Sequence, residues 1–234
     1  MRIKSLLPAL SFLALCFSAS QGRGAVIDLQ EYAFNIDGVV TNGSQPAGVN
    51  GAGFNYTTGL GSLSISMTGT GNHFIGLYLD HEIDQTINTF FNELGSTLGV
   101  KPAGLSWEIG DPLGAFIYPH FTSSNAAGSA LTNSNTLVSP DDVSMAQGWN
   151  FSLAAGQTGI FNFNVGLMAP AGFYLQQTDP SSGASIFFST TKTITTAGTV
   201  PDSGATLPLM FAGAFLVFAM SRMSRLSASA AAQP

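Results

Sequence analysis

Apolar and polar residues alternate along several short stretches of the chain. Residues 63–67 run Leu-Ser-Ile-Ser-Met and residues 161–165 run Phe-Asn-Phe-Asn-Val, so every second side chain is apolar. A period of two predicts strands with one buried and one exposed face. Residues 186–190 are mainly β-branched and aromatic, which also favours a strand. Residues 73–79 form a longer apolar run, which predicts a strand buried on both faces.

Turn sequences separate these predicted strands. Residues 154–157 (Ala-Ala-Gly-Gln) divide two strand-like segments, which predicts a hairpin, and residues 179–183 (Asp-Pro-Ser-Ser-Gly) divide two more. Many short strands with glycine-rich turns predict an all-β fold. We expect a single β-sandwich of jelly-roll or immunoglobulin-like type over residues 25–199.

One segment departs from the strand pattern. Residues 80–95 carry apolar side chains at helical spacing, with acidic residues in front and Gly95 where a helix C-cap would lie. The apolar positions are Ile83, Ile87, Phe90, Phe91 and Leu94. The spacing predicts one short helix, and the alternative is a strand that runs into a long loop.

The N-terminal segment has the composition of an export signal. Arg2 and Lys4 precede an almost wholly apolar stretch, and small residues follow it. This order predicts a secretory signal peptide over residues 1–24. Cys16, the only cysteine, lies inside that segment. The processed protein would therefore contain neither a disulfide nor a thiolate metal site.

The charge balance of residues 25–199 is strongly acidic. Twelve Asp and Glu residues face only two basic ones, Lys101 and Lys192. Binding to nucleic acid requires clustered Lys and Arg, so we expect no nucleic-acid partner.

The most metal-like pattern lies at residues 80–84. Asp80, Glu82 and Asp84 alternate, so an extended loop would bring three carboxylates together, and oxygen ligands of this kind suit Ca²⁺. The alternative is a solvated helix start, where negative charge is favourable. Gln85 stands where a zinc-protease helix would need its second histidine. Calcium is thus the only cofactor that the sequence suggests.

Other candidate residues suggest carbohydrate chemistry. Trp107 and Trp149 are candidates for stacking on sugar rings, and the alternative for each is packing in the core. Asp141 and Asp142, with the acids near residue 80, are candidates for a glycosidase carboxylate pair. No Gly-x-Ser-x-Gly nucleophile motif is present in the sequence. We therefore expect a protein without enzymatic activity.

The C-terminal segment, residues 200–234, has three parts. The pentapeptide Val-Pro-Asp-Ser-Gly precedes sixteen uncharged residues, 205–220, and Arg222 and Arg225 follow. As a helix this run would extend about 24 Å, slightly less than the ~30 Å hydrocarbon core. It predicts a transmembrane helix with both arginines on the cytoplasmic side and residues 25–199 outside.

This tail resembles the PEP-CTERM sorting signals of Gram-negative bacteria. Its first residues match the VPDSG variant of the signal: Val200, Pro201, Asp202, Ser203 and Gly204. The resemblance implies recognition by an exosortase, a membrane enzyme that would act near the motif and release the body from its anchor in the inner membrane. Residues 226–234 depart from the pattern, because such tails usually end soon after the basic cluster.

The body also resembles ectodomains that carry such tails. The similar segments are residues 80–95, 106–112, 140–155 and 173–189. This resemblance implies export to the cell surface or extracellular matrix, together with extracellular polysaccharide. We expect a structural or interaction protein; the alternatives are a calcium-dependent glycan-binding module and, less favoured, a polysaccharide hydrolase.

Overall fold

The structure, a computed structural model, describes residues 24–112, 117–137 and 139–196. Within these ranges the chain forms two six-stranded sheets, with strands numbered in chain order. The strands of sheet A, from edge to edge, are β2 (Val39–Asn42), β1 (Ile27–Ile36), β5 (Gly71–Ile83), β9 (Ser144–Leu153), β7 (Leu105–Gly110) and β8 (Ser134–Asn135). Those of sheet B are β3 (Val49–Asn55), β4 (Leu60–Thr68), β10 (Gln157–Gly166), β12 (Ser185–Thr196), β11 (Tyr174–Thr178) and β6 (Leu94–Leu98).

The main core fills the space between the two sheets. Alternate residues of the strands point inward and are almost fully buried, among them Leu77 of sheet A and Phe163 of sheet B. The rings of Phe151 and Phe161 meet across the sandwich, with their centroids 4.3 Å apart. Full burial of one such side chain stabilises the fold by about 1.5–3 kcal/mol. The period-two pattern thus supplies the apolar face that each sheet needs.

Hydrogen bonds from side chains also connect the sheets. Gln147 Nε2 donates to the carbonyl oxygen of Phe188 at 2.8 Å, and Trp149 Nε1 donates to Thr190 Oγ1 at 3.0 Å. Both bonds run from β9 to β12 and both lie in the buried interior. They fix the relative position of the two sheets, which apolar packing alone specifies less precisely.

A short helix, α1 (Ile117–Ser123), covers part of the outer face of sheet A. Ile117 and Phe121 are fully buried there against Tyr78 and Ala146, in a second, smaller apolar cluster. Gly76 makes this contact possible, because a Cβ at that position would lie 2.8 Å from the Phe121 ring. Nothing in the apolar periodicity of the sequence predicted this helix.

The predicted all-β, two-sheet architecture is confirmed. Strands occur where the alternating patterns predicted them, in β4, β10 and β12, and the long apolar run lies in β5. Both ends of the chain carry predictions that fall outside the described residues, namely the signal peptide and the sorting tail. Within the described ranges, no helix is both long and apolar enough to cross a membrane.

The predicted helix over residues 80–95 is wrong. β5 continues to Ile83, a single 3-10 turn covers Phe90–Asn92, and β6 begins at Leu94. The backbone at Glu82 and Ile83 pairs with β1, so tertiary strand pairing outweighs the helical spacing of the apolar residues. The alternative of a strand that runs into a loop is the correct one.

The turn at residues 154–157 exists, but it does not form a hairpin. It joins β9 of sheet A to β10 of sheet B, so the chain crosses from one sheet to the other. β9 is already paired with β5 and β7, and β10 with β4 and β12, which leaves neither strand a free edge for the other. The turn at residues 179–183 does form a hairpin, between β11 and β12.

Candidate functional site

The two sheets differ sharply in charge. The strands of sheet A carry five carboxylates: Asp28, Glu31, Asp80, Glu82 and Glu108. Within the strands of sheet B, Lys192 is the single charged residue. Its ammonium lies over the Trp149 ring, 4.7 Å from the ring centroid, and so points toward the interior. The outer face of sheet B is therefore uncharged, whereas sheet A is acidic.

Strand register brings several acids of sheet A together on its outer face. In the antiparallel pairing of β1 with β5, Glu31 lies opposite Asp80 and Asp28 lies opposite Glu82. Directly opposed residues of an antiparallel pair project to the same face. Asp142 precedes β9, whose Ser144 lies opposite Asp80, so continuation of this register places Asp142 beside Glu82. We refer to these five residues as the acid cluster.

Three members of the acid cluster are buried. Asp80, Glu82 and Asp142 are only 6%, 4% and 4% exposed. Asp80 Oδ1, Glu82 Oε2 and Asp142 Oδ1 have no hydrogen-bond partner among the described residues. A buried polar atom without a partner costs free energy, and a buried charge without a counter-charge costs more. The three oxygens are thus the least satisfied polar atoms of the outer face.

Burial and mutual repulsion shift the titration of these groups. Burial, followed by the charges of Asp142 and Glu82, raises the pKa of Asp80 to about 9. Burial, with Asp142 and Asp28 as the next causes, raises the pKa of Glu82 to about 7. Burial also raises the pKa of Asp142 to about 6. Each carboxyl therefore takes up a proton more readily in the folded protein than in the unfolded chain.

The predicted calcium ligands are only partly brought together. Asp80 and Glu82 share a face, as their alternation predicted, but Asp84 lies beyond the end of β5 with a left-handed backbone at φ 58°. Its Oδ1 accepts a hydrogen bond from the Val26 N–H at 2.8 Å, which ties this carboxylate to the segment before β1. Calcium binding by Asp80, Glu82 and Asp84 stays a prediction, and Asp142 is a further carboxylate that the strand register places beside Glu82. As they stand, no three His, Cys, Asp or Glu side chains of the described residues enclose a metal ion.

Trp149, a candidate for glycan stacking, lies where the alternative of core packing placed it. Its side chain lies in the core with 3% exposure, where a sugar ring has no access. Trp107 is half-buried and packs against the main core beside Phe173, with ring centroids 6.0 Å apart. For Trp107, sugar binding stays a prediction. Its side chain packs against the core, which was the alternative for both tryptophans.

The uncharged outer face of sheet B presents hydroxyl and amide groups. Ser62 Oγ donates to Asn164 Oδ1 at 2.7 Å, across β4 and β10. We call this surface the neutral face. Its central members, on alternate positions of β4, β10 and β12, are Ser62, Ser64, Ser66, Asn162, Asn164, Thr191 and Thr193. A groove of about 160 Å³ lies on it, lined in part by Phe187, Met168 and Asn164.

A larger cleft lies on the outer face of sheet A, next to the acid cluster. It has a volume of about 460 Å³ and is lined in part by Glu31, Asn42, Tyr78 and Tyr118. Tyr118 is half-buried, its hydroxyl donates to Asn42 Oδ1 at 2.8 Å, and its ring meets Tyr78 edge-on. Sequence patterns do not single out these residues, because the cleft forms between the β1–β2 pair and α1, which is far from both strands in the chain.

Another buried carboxylate on sheet A, Glu108, has the partners that the acid cluster lacks. Glu108 is fully buried, and His120 Nδ1 of α1 lies 3.0 Å from its Oε1. The N–H of Thr132 also donates to Glu108, at 3.2 Å from Oε2. The contrast shows that the described residues can satisfy a buried carboxylate on this face where a donor is available.

No protein-family model, no curated protein and no solved structure matches the chain.

Proposed function

We propose that this protein is an exported surface or extracellular-matrix protein without enzymatic activity, which contacts extracellular polysaccharide through its neutral face. The observation that carries the proposal is the uncharged outer face of sheet B, whose side chains donate and accept hydrogen bonds without charge. Sugars offer the same hydroxyl chemistry, and a surface of this kind binds them without a desolvation cost for ions. Phe187, in the groove at one end of this face, adds an apolar ring against which a sugar face can pack.

The export part of the proposal is supported by the sequence of the tail. Val200, Pro201, Asp202, Ser203 and Gly204 match a sorting motif, and Arg222 and Arg225 would keep the end of the chain cytoplasmic. An exosortase would be the partner that releases the body. The intact mass of the mature protein from its host tests this step. A C-terminus within or next to residues 200–204 supports processing, and a mass that includes Arg225 indicates a permanent anchor.

The absence of enzymatic activity is supported by the burial of the best carboxylate candidates. Asp80, Glu82 and Asp142 are at most 6% exposed, so a polysaccharide chain cannot approach them as it would approach a glycosidase pair.

For the fold itself we propose the finer, jelly-roll type. The chain passes between the sheets from β2 to β3, β4 to β5, β5 to β6, β6 to β7 and β9 to β10, as repeated crossing in that architecture requires.

A second candidate function is glycan binding in the cleft on sheet A. The observation that favours it is the half-buried Tyr118 ring beside Asn42, in a cleft large enough for a sugar unit. Replacement of Tyr118 by Ala would remove the ring from this cleft and leave the neutral face unchanged. Loss of polysaccharide binding in this variant alone would assign the binding to the cleft and not to the neutral face.

A further inference from the structure

The acid cluster is held together by the backbone. Asp80 and Glu82 are two positions apart on β5, so both point to the outer face of sheet A. Their cross-strand neighbours on β1 are Glu31 and Asp28. Such opposed side chains have Cβ atoms about 4.5–5.5 Å apart, and like charges in these positions destabilise a sheet. Two such pairs next to each other are a costly arrangement unless something compensates for them.

The basic residues of the described chain do not compensate for this charge. Lys101 Nζ donates to the carbonyl oxygen of Leu105, and Lys192 lies over Trp149. Among the described residues, the two ion pairs join His73 to Asp37 and His120 to Glu108. The remaining histidine, His81, alternates with Asp80 and Glu82 on β5 and so points to the interior of the sandwich.

The unsatisfied atoms are oxygens that a cation would satisfy. Asp80 Oδ1, Glu82 Oε2 and Asp142 Oδ1 are buried and lack partners among the described residues. A set of carboxylate oxygens without imidazole or thiolate is typical of hard divalent cations, and Ca²⁺ tolerates irregular arrangements of six to eight oxygens. Mg²⁺ requires near-ideal octahedral geometry, which a strand pair with one flanking loop does not impose.

We propose that the acid cluster is a calcium-binding site, in which Asp80, Glu82 and Asp142 supply the buried ligands and Asp28 and Glu31 supply ligands at the rim. In the part of the chain that the structure describes, no three of these side chains are arranged to hold an ion as they stand. The strand register sets their Cα positions side by side on one face, so ion binding requires these side chains to rotate toward the cation. The site lies on sheet A, whereas the neutral face lies on sheet B. Failure of the calcium proposal would therefore leave the proposed function untouched, and the reverse also holds.

The test is thermal unfolding of the full chain, purified in a mild detergent, in excess chelator and in excess Ca²⁺. A site that binds the folded state alone raises the unfolding midpoint by mass action, here by about 5 °C or more at saturation. Titration calorimetry with CaCl₂ should give one ion per chain. An unchanged midpoint, or an equal rise with Mg²⁺ at the same ionic strength, would overturn the proposal, because it would mean no site or mere charge screening.

Variants separate the site from general effects of charge. Asp80→Asn and Glu82→Gln should be at least as stable as the wild type in chelator, since each removes a repelling carboxylate, and both should lose the rise with Ca²⁺. Glu108→Gln is the matched control, because it removes a buried carboxylate of the same sheet face that already has a partner, His120. It should keep the rise with Ca²⁺. Retention of the full rise in an Asp80→Asn/Glu82→Gln double variant would overturn the assignment.

Discussion

Glu82 and Asp28 lie directly opposite each other on neighbouring antiparallel strands, so two carboxylates occupy one cross-strand pair. The adjacent acidic pair on the same face joins Asp80 to Glu31. Opposed like charges normally destabilise a sheet. The chain retains this arrangement on sheet A while it keeps the outer face of sheet B free of charge. This division suggests that the two faces serve different purposes.

The first prediction concerns pH in the absence of divalent cations. The pKa values of Asp80 and Glu82 rise to about 9 and about 7 in the folded protein, chiefly through burial and then through the neighbouring acids. At pH values between the ordinary carboxyl pKa range and these raised pKa values, the folded state therefore binds more protons than the unfolded chain. The contribution of these bound protons to stability should be complete below the ordinary carboxyl pKa range. It should be lost as the pH rises through about 7 and 9.

Thermal unfolding in excess chelator checks this prediction. The midpoint should be lower at pH 9 than at pH 6, and Glu82→Gln should reduce the fall near pH 7. Asp142 and Glu93, whose pKa values are also raised chiefly by burial, contribute to the same trend. A midpoint that rises between pH 6 and pH 9 would contradict the prediction.

The second prediction concerns Gly59, which packs against a buried histidine. His81 is fully buried, and burial lowers its pKa to about 4, so the imidazole is neutral at physiological pH. A Cβ at residue 59 would lie 2.0 Å from His81 Nε2, and the backbone there has φ +66°. Gly59→Ala should destabilise the protein by about 2 kcal/mol or more, through both the clash and the left-handed backbone.

Gly43 supplies the matched control for this substitution. Its backbone has a similar φ of +61°, but a Cβ there would meet nothing within 4 Å. Gly43→Ala should therefore cost only the backbone term, about 1 kcal/mol. Chemical denaturation of both variants gives the two free energies of unfolding. Equal losses would show that the contact between His81 and residue 59 contributes nothing.

The third prediction concerns Asp179, which connects two loops. Its fully buried carboxylate accepts hydrogen bonds from Asn88 and Asn92 of the segment after β5, at 2.6 and 2.8 Å. It also accepts hydrogen bonds from Ser181 and Ser182 in the turn before β12. Burial opposes ionisation, but the hydrogen bonds from Ser182, Ser181 and Asn88 outweigh it and lower the pKa of Asp179.

Asp179→Ala should lower the free energy of unfolding at neutral pH by about 2–3 kcal/mol, because charged hydrogen bonds are lost and their donors are left unpaired. Asp179→Asn should lose less, since its amide oxygen still accepts. A carboxyl with a lowered pKa stabilises the fold above the ordinary carboxyl range, and this contribution disappears as pH falls through the folded value. The difference between wild type and Asp179→Ala should thus shrink in acid; a constant difference would show that the charge is irrelevant.

Local patterns predicted the features that depend on local geometry. Alternation identified β4 and β10, and it placed Asp80 and Glu82 on one face, because the period of a strand is two. The alternation does not extend to Asp84, where the strand has ended and the backbone is left-handed. A single sequence carries no information on strand register, so the position of Asp142 beside β5 could not be predicted from it.

The charge difference between the sheets could not be predicted for a similar reason. Each strand reveals which of its residues share a face, but not which sheet it joins. β9 and β10 are consecutive and separated by a turn, yet they lie in different sheets because the edges of both are already occupied. The inward position of Lys192, over Trp149, likewise depends on contacts across the sandwich. Only the assembled sheets show that the neutral face exists.

The central claim, that the neutral face binds polysaccharide, is tested most directly by charge substitution. Ser66 and Thr193 are exposed and flank Ile160 of β10, so a double substitution to Lys or to Glu places charge on the face across β4, β10 and β12. Ser123, exposed at the end of α1 on the other sheet, provides matched Lys and Glu controls. Titration of the full chain in mild detergent with exopolysaccharide isolated from its host measures the affinity of each form.

Both double variants, whatever the sign of the charge, should bind at least about tenfold more weakly than wild type, a loss of ~1.4 kcal/mol. The Ser123 controls should bind normally, and binding by wild type should change little with salt, since no ions take part. Wild-type affinity in both double variants, or no binding by the wild type itself, would contradict the account.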